Sequence, residues 1–313
     1  MNLSDFADPV PHNEPVRFAL FVLVGAMLFG TTGTAQTFAP AGASSLSIGA
    51  ARIGFGGLIL FAIGCGSWWR RRRTLSRLTW RAALAVAVGA AVVSAYQSVF
   101  FAGTRANGVM VGTVLALGSS PLFTGVFEWL VLRRRVTPRW GVATGLAVAG
   151  LVALSWTTDV QDRIDPAGVA LSLAAGACYS VLTVATKWLL EHGWRPADAA
   201  SAIMGVGAVV GFAMLSTTDV SWLAQPNGIG VLAWLAIATI VVAYLLMVMG
   251  MRGLSAASTT TLGLAESATA TVLGVVILGE LLTGLRALGL AAVAAGVLIA
   301  GWPKASPIPT ENT

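Results

Sequence analysis

Long apolar runs separated by short polar breaks make up almost the whole chain. A helix that crosses a hydrocarbon core needs about 20 predominantly apolar residues. Ten stretches meet that demand: 17–38, 44–66, 81–102, 108–132, 139–157, 166–190, 196–217, 229–250, 256–279 and 283–302. The runs are continuous and do not alternate with period two, which argues for helices and against the strands of a β-barrel. The longest interior connection, 67–80, carries Trp68-Trp69 followed by Arg70 to Arg73. The pattern predicts an all-α integral membrane protein with ten transmembrane helices and no separate soluble domain.

Two of these runs resemble each other. Val114–Arg135 is apolar, is interrupted by Gly118-Ser119-Ser120-Pro121 and closes on three arginines; Thr260–Glu280 is interrupted by Ala265-Glu266-Ser267-Ala268. Sliding the chain against itself by 146 positions lays one on the other. It also pairs Gly30 with Gly176, Thr113 with Thr259, Leu132 with Leu278, Gly150 with Gly296 and Trp156 with Trp302. An offset of five helices gives the halves opposite orientations, the inverted repeat that secondary transporters use for alternating access. The expected organisation is an N-terminal tail at 1–16, repeats at 17–157 and 158–302, and a C-terminal tail at 303–313.

Composition narrows the class. The chain is 56% hydrophobic and only 10% charged, with mean hydropathy +0.81; soluble domains carry about 25% charged residues. A pI near 10.1 would suit nucleic acid, but the arginines cluster where apolar runs end, so topology explains them and no nucleic-acid partner is expected. With the N-terminus inside, 15 of the 19 Lys and Arg fall on the inner side, including Arg70 to Arg73, Arg133 to Arg135, Arg139, Lys187, Arg195 and Arg252. Arg52, Arg105, Arg163 and Arg286 fall toward the outer side with Asp159, Asp162, Asp165 and Asp219. Both termini are thus expected in the cytoplasm of a bacterial inner membrane. The first 14 residues are polar and carry Asp5, Asp8 and Glu14, the wrong charge for a signal n-region. Cys65 and Cys178 both lie inside apolar runs and read as packing residues.

Polar groups inside spans are costly unless they meet partners or face a water-filled cavity, so they are the candidates for chemistry. Helix 1 offers Thr34 and Gln36, helix 3 offers Tyr96, Gln97 and Phe100, and helix 4 offers Ser119 and Ser120. Helix 6 offers Tyr179 and Thr183, helix 8 Tyr244, and helix 9 Thr260, Glu266 and Ser267. All three tyrosines of the chain lie in spans; a phenol wants an apolar wall and a partner for its hydroxyl. Local hydroxyl bonding to the backbone is the competing reading for the Ser and Thr residues. Glu266 is the one carboxylate placed near mid-span, suited to binding a substrate amino group, carrying a coupling proton or bonding neighbouring helices. Glu128 lies close enough to a helix end to reach water or a basic neighbour. Arg52 either snorkels outward or pairs with a carboxylate, with contact to substrate as the lesser alternative. Gly54, Gly56, Gly57, Gly141, Gly145, Gly150, Gly289 and Gly296 are expected at close helix contacts, and Gly118, Pro121 and Gly263 at gating bends.

On Ser119-Ser120-Pro121-Leu122-Phe123, Ala265 to Ala268, Leu278-Gly279-Glu280-Leu281-Leu282 and the Gly289–Gly296 helix, the chain resembles the EamA type of the drug/metabolite transporter superfamily. The resemblance covers 17–302. It departs at Arg134, where an acidic residue is usual, and at Ser267, where proline is common. It implies two five-helix repeats around a central cavity lined by helices 1, 3, 4, 6, 8 and 9. The nearest likeness is to bacterial exporters of aromatic and hydrophobic amino acids, with export of other metabolites or cationic drugs as the alternative. The related small multidrug exporters carry a Glu in their first helix; helix 1 here has none. Of other classes, a lipid-handling or non-transporting membrane subunit stays open. An intramembrane enzyme is disfavoured, since His12 and His192 lie outside the spans and no Asp pair or Ser-Lys arrangement occurs. No P-loop is present, and no metal or cofactor is expected. The partners expected are the bilayer and a small-molecule substrate, an amino acid first.

Overall fold

The computed structural model of the protein describes residues 14–70, 79–155, 165–279 and 281–302. Expectations placed on both tails, on Arg71 to Arg73, Arg77, Trp156, Asp159, Asp162, Arg163 and Glu280 fall outside those residues. The described chain is helical: α1 Glu14–Thr37, α2 Ser45–Arg70, α3 Trp80–Gly108 and α4 Val111–Leu132, and α5 Pro138–Leu154. There follow α6 Pro166–Glu191, α7 Pro196–Leu215, α8 Pro226–Gly250 and α9 Ala256–Leu278, and α10 Gly284–Gly301. Among the described residues nine helices are long and apolar enough to cross a membrane. The tenth, α5, has 17 residues, a length of about 25 Å. The outer surface carries exposed Leu20, Met27, Leu58, Leu84, Leu122, Val126, Val209, Val276 and Leu288, the surface a lipid-solvated bundle presents. The protein is a multi-pass membrane protein.

Local chemistry sets the helix starts. Pro138, Pro166, Pro196 and Pro226 each open a helix, where a missing N–H costs nothing. Thr79, Thr137, Asp165, Ser255 and Thr283 accept the first free amides of the helices they precede.

The inverted repeat is visible in the packing. α2 packs on α7 and α5 on α10, α1 on α8 and α9, and α6 on α3 and α4. Adding five to each helix number carries this set of pairings onto itself. The contact of α5 with α10 shows it residue by residue. A Cβ on Gly150 would meet Val293 N at 2.6 Å and Gly289 O at 2.7 Å; one on Gly296 would meet Ala143 O at 2.5 Å and Ala147 N at 2.8 Å. Gly54, Gly56 and Gly57 pack closely against α7 and α8. Gly141 and Gly145 do not: no atom lies within 4 Å of a Cβ built there. Their place on the open side of α5 corrects the packing role expected for them.

Three junctions depart from the pattern. α3 runs six residues past its expected end, to Gly108, because its polar tail finds partners. Thr104 Oγ1 donates to Phe101 O at 3.1 Å, and Asn107 exchanges two hydrogen bonds with the Asp165 backbone, at 2.9 and 2.7 Å. Arg105 therefore sits on a helix and not in a loop. The chain turns at Gly108 (φ 81°, ψ 153°), so that Gly112 lies against Thr104. No break in helical torsions marks the bend expected at Gly118 and Pro121, since Gly108 is the one residue between Trp80 and Leu132 with non-helical torsions. Pro121 cannot donate to Leu117 O, but Ser120 Oγ does so at 2.8 Å. α9 instead steps at Leu264, just after Gly263, where tighter bonds link Leu264 N to Thr261 O and Ser267 N to Leu264 O. α8 contains a π-helical segment, Leu235–Val242, within the wall described next.

Candidate functional site

Between the two halves lies a cavity of about 100 Å³. α2 contributes Arg52, α3 Tyr96 and Gln97, and α6 Cys178, Tyr179, Thr183 and Thr186. α8 contributes Ile240, Tyr244 and Met247, and α9 Glu266. Close helix crossings carry these groups inward. α1 crosses α9 at Gly30, where a Cβ would lie 2.6 Å from Glu266 O. α1 crosses α8 at Gly25, where a Cβ would lie 2.8 Å from Ala243 O. Gly49 leaves room for the Gln97 amide, whose Nε2 fills the space a Cβ would take. The π-helical segment ends just before Ala243, next to Tyr244. π-segments insert one residue per turn and recur at functional sites.

Arg52 and Glu266 are opposite charges on this one wall, yet no ion pair joins them among the described residues. Arg52 Nη1 donates to Thr32 Oγ1 at 3.3 Å, while its Nε is buried without a hydrogen-bond partner. Arg52 therefore points inward, and the snorkelling alternative is set aside. The aromatic wall is ordered by stacking: Phe100 on Tyr96 at 5.5 Å between ring centroids, and Tyr96 tilted toward Tyr179 at 6.5 Å. Tyr244 Oη and Thr186 Oγ1 are 3.2 Å apart. Thr183 Oγ1 returns to Tyr179 O at 2.9 Å, presenting its methyl group and a shared hydroxyl.

Of the residues singled out from the sequence, Tyr96, Gln97, Tyr179, Thr183, Tyr244 and Glu266 come together on this wall. Phe100 stands behind it, against Tyr96. Ser119 and Ser120 lie outside: their hydroxyls are turned to Ala116 O and Leu117 O, and Ser120 O accepts Ser180 Oγ at 2.7 Å. Thr260 is buried, bonded to Ala257 O at 3.0 Å. Ser267 Oγ is buried with no partner and does not line the cavity. Thr34 lines a separate groove of about 590 Å³ between α1, α8 and α9, with Thr31, Phe38, Trp234 and Ile277; Gln36 lines neither. Gly118 and Pro121 are buried in α4. Thr186 and Met204 are wall residues that the sequence pattern does not single out, and Arg52 is one whose place it leaves open.

Glu128 behaves differently from expectation. It is buried at 2% exposure, at the margin of a depression that Arg134, Arg135 and Arg139 also line, and no ion pair joins it to them among the described residues. Its Oε1 accepts Ala256 N at 3.0 Å and its Oε2 accepts Ala257 N at 2.8 Å, so a carboxylate from α4 caps α9. The positive end of the helix dipole accounts for the charge there.

Comparison with known proteins bears on this geometry. The EamA-like transporter family matches twice, over residues 17–156 and 166–302. An uncharacterized transporter of Bacillus subtilis (strain 168), YwfM, is 36% identical over 284 residues, 90% of this chain and 93% of that one. The threonine/homoserine exporter RhtA of Salmonella typhimurium (strain SL1344) is 32% identical over 190 residues, 60% of this chain and 61% of its own. One solved crystal structure shares the fold at TM-score 0.74 and 18% identity, over 90% of this chain and 96% of that one.

Proposed function

The chain belongs to the EamA-like transporter family, and on that premise we propose that it exports amino acids by alternating access, holding the zwitterion between Arg52 and Glu266. One observation carries this reading: a guanidinium with a buried, unpartnered Nε and a carboxyl share one small cavity without closing on each other. A substrate carboxylate satisfies the first and an ammonium the second. Both bonds are charge-assisted, the strong kind. The exporter RhtA supports an amino acid of modest size, and so does a cavity of about 100 Å³. An aromatic or hydrophobic amino acid is the second reading, favoured by the wall of Tyr96, Tyr179, Tyr244 and Met247 and requiring the cavity to widen. The arginine-bearing end, with Arg133 to Arg135, is assigned to the cytoplasm by the excess of basic residues there.

Proteoliposome flux of labelled threonine, phenylalanine and a cationic dye tests the reading. Threonine is expected to move fastest. Arg52→Met and Glu266→Gln should each reduce flux about tenfold or more, the worth of one hydrogen bond to a charged group. Dye flux without amino-acid flux would overturn it.

A further inference from the structure

A second cavity opens on the arginine-bearing end. It has a volume of about 830 Å³ and is lined by Arg134, Lys187, Glu191, Arg195, Arg252 and Ser255 among others. Four cations thus face one carboxylate. The basic excess of a cytoplasmic face accounts for arginines at the surface. It does not account for Lys187, which lines this depression with only 6% of its side chain exposed. Its Nζ donates to Met251 O at 2.7 Å and stands 3.8 Å from Glu191 Oε1, which Arg134 Nη2 approaches to 3.1 Å. An ammonium has three donors; one is engaged at short range, one faces a carboxylate at long range.

Lys187 also marks a partition. The residue before it, Thr186, lines the central cavity, as does Thr183 one turn away, while Lys187 lines the depression. Across from it Met251 lines the central cavity and Arg252 the depression. These residue pairs therefore belong to the layer between the two spaces, and the bond from Lys187 to the Met251 carbonyl ties them together.

We propose that the depression is a binding site for the carboxylate of the incoming substrate, with Lys187 as its receptor before transfer to Arg52. A carboxylate arriving there replaces the Met251 carbonyl as acceptor, which releases the layer between the two cavities. Only hydrogen bonds change. This rests on the amino-acid reading above, and the experiment separates the two.

Flux of threonine is measured from each face of oriented vesicles made of phosphatidylcholine alone. Lys187→Met should raise KM about tenfold from the arginine-bearing face and by a much smaller factor from the other face. Lys187→Arg should restore it. Equal changes from both faces would make Lys187 structural and overturn the proposal. Equilibrium binding of N-acetyl-threonine, a carboxylate with no ammonium, probes the depression apart from transport: it should bind the wild-type protein and bind Lys187→Met about tenfold more weakly. If no amino acid is transported yet this binding depends on Lys187, the amino-acid reading falls and the carboxylate site stands. Binding indifferent to Lys187 overturns the site. So does a Lys187 effect that appears only when phosphatidylglycerol is added, which would make the anion a lipid phosphate.

Discussion

The two halves of the molecule turn between their third and fourth helices by opposite means. In the first, α3 passes to α4 with Gly108 as the one non-helical residue, and the nearby ties are neutral: Thr104 on the backbone and Asn107 on the Asp165 backbone. In the second, α8 passes to α9 through the five residues Met251 to Ser255. Charged side chains from other helices hold that link: Lys187 on Met251 O, and Glu128 on the amides of Ala256 and Ala257. The same contrast recurs deeper. The internal offset lays Ser120 on Glu266 and Pro121 on Ser267. Ser120 spends its hydroxyl on mending the backbone at Pro121, whereas Glu266 is left facing the cavity. One copy of the unit has become a frame. The other carries the charge and the contacts that can exchange partners.

That difference can be broken or sharpened by substitution. The largest effect is expected at Glu128. Glu128→Ala leaves two buried amides without an acceptor and should cost about 3 kcal/mol, read as a fall in thermal stability of the detergent-solubilised protein. Glu128→Gln, which keeps one acceptor oxygen, should recover about half of that loss. On the frame side, Gly108→Ala meets no steric neighbour, so its cost is backbone strain alone. At φ 81°, ψ 153° that is about 2 kcal/mol, and flux per folded molecule should be unchanged. Ser120→Ala should cost about 1 kcal/mol by leaving Leu117 O unpaired beside Pro121, and circular dichroism should show unchanged helix content and an earlier melting of the whole protein. The smallest effect lies outside the spans, at Asp219 between α7 and α8. Its carboxylate is held below the ordinary range by the Ser221 backbone N–H and hydroxyl. A depressed acid stabilises above its unfolded value and loses that contribution as pH falls through the folded one. The Ser221 amide should therefore lose its protection, relative to the intrinsic exchange rate, only below about pH 4, with transport at neutral pH untouched.

Much of this was legible in the chain itself. Apolar runs of spanning length and the self-match at one offset are enough for ten helices in two inverted copies, because backbone hydrogen bonding inside lipid admits few alternatives. Tyrosines at mid-span point to a cavity since a phenol has no use for lipid on every side. The site was less legible. Ser119 and Ser120 look like binding groups until Pro121 is seen to leave a carbonyl needing one of them. Arg52 could not be turned inward by reading α2, whose Gly and Ala residues give little signal about which face meets α7 and α8. Gly141 and Gly145 could not be told from Gly150 for the same reason: a glycine pattern names the helix that packs closely but not the face. Glu128 was out of reach because its partners are backbone amides 128 and 129 residues away.

The contact of α5 with α10 has one more consequence. Gly150 meets residues 289 and 293, and Gly296 meets residues 143 and 147, so each helix offers its fellow the same patch that it receives. That reciprocity is the mark of an isologous interface, here closed inside one polypeptide, and α2 packs on α7 on another side. Each five-helix unit therefore carries, complete, the adhesive surface for a second unit inserted the other way up. Cut between residues 155 and 165 and produced as two chains, the halves should find each other in the membrane.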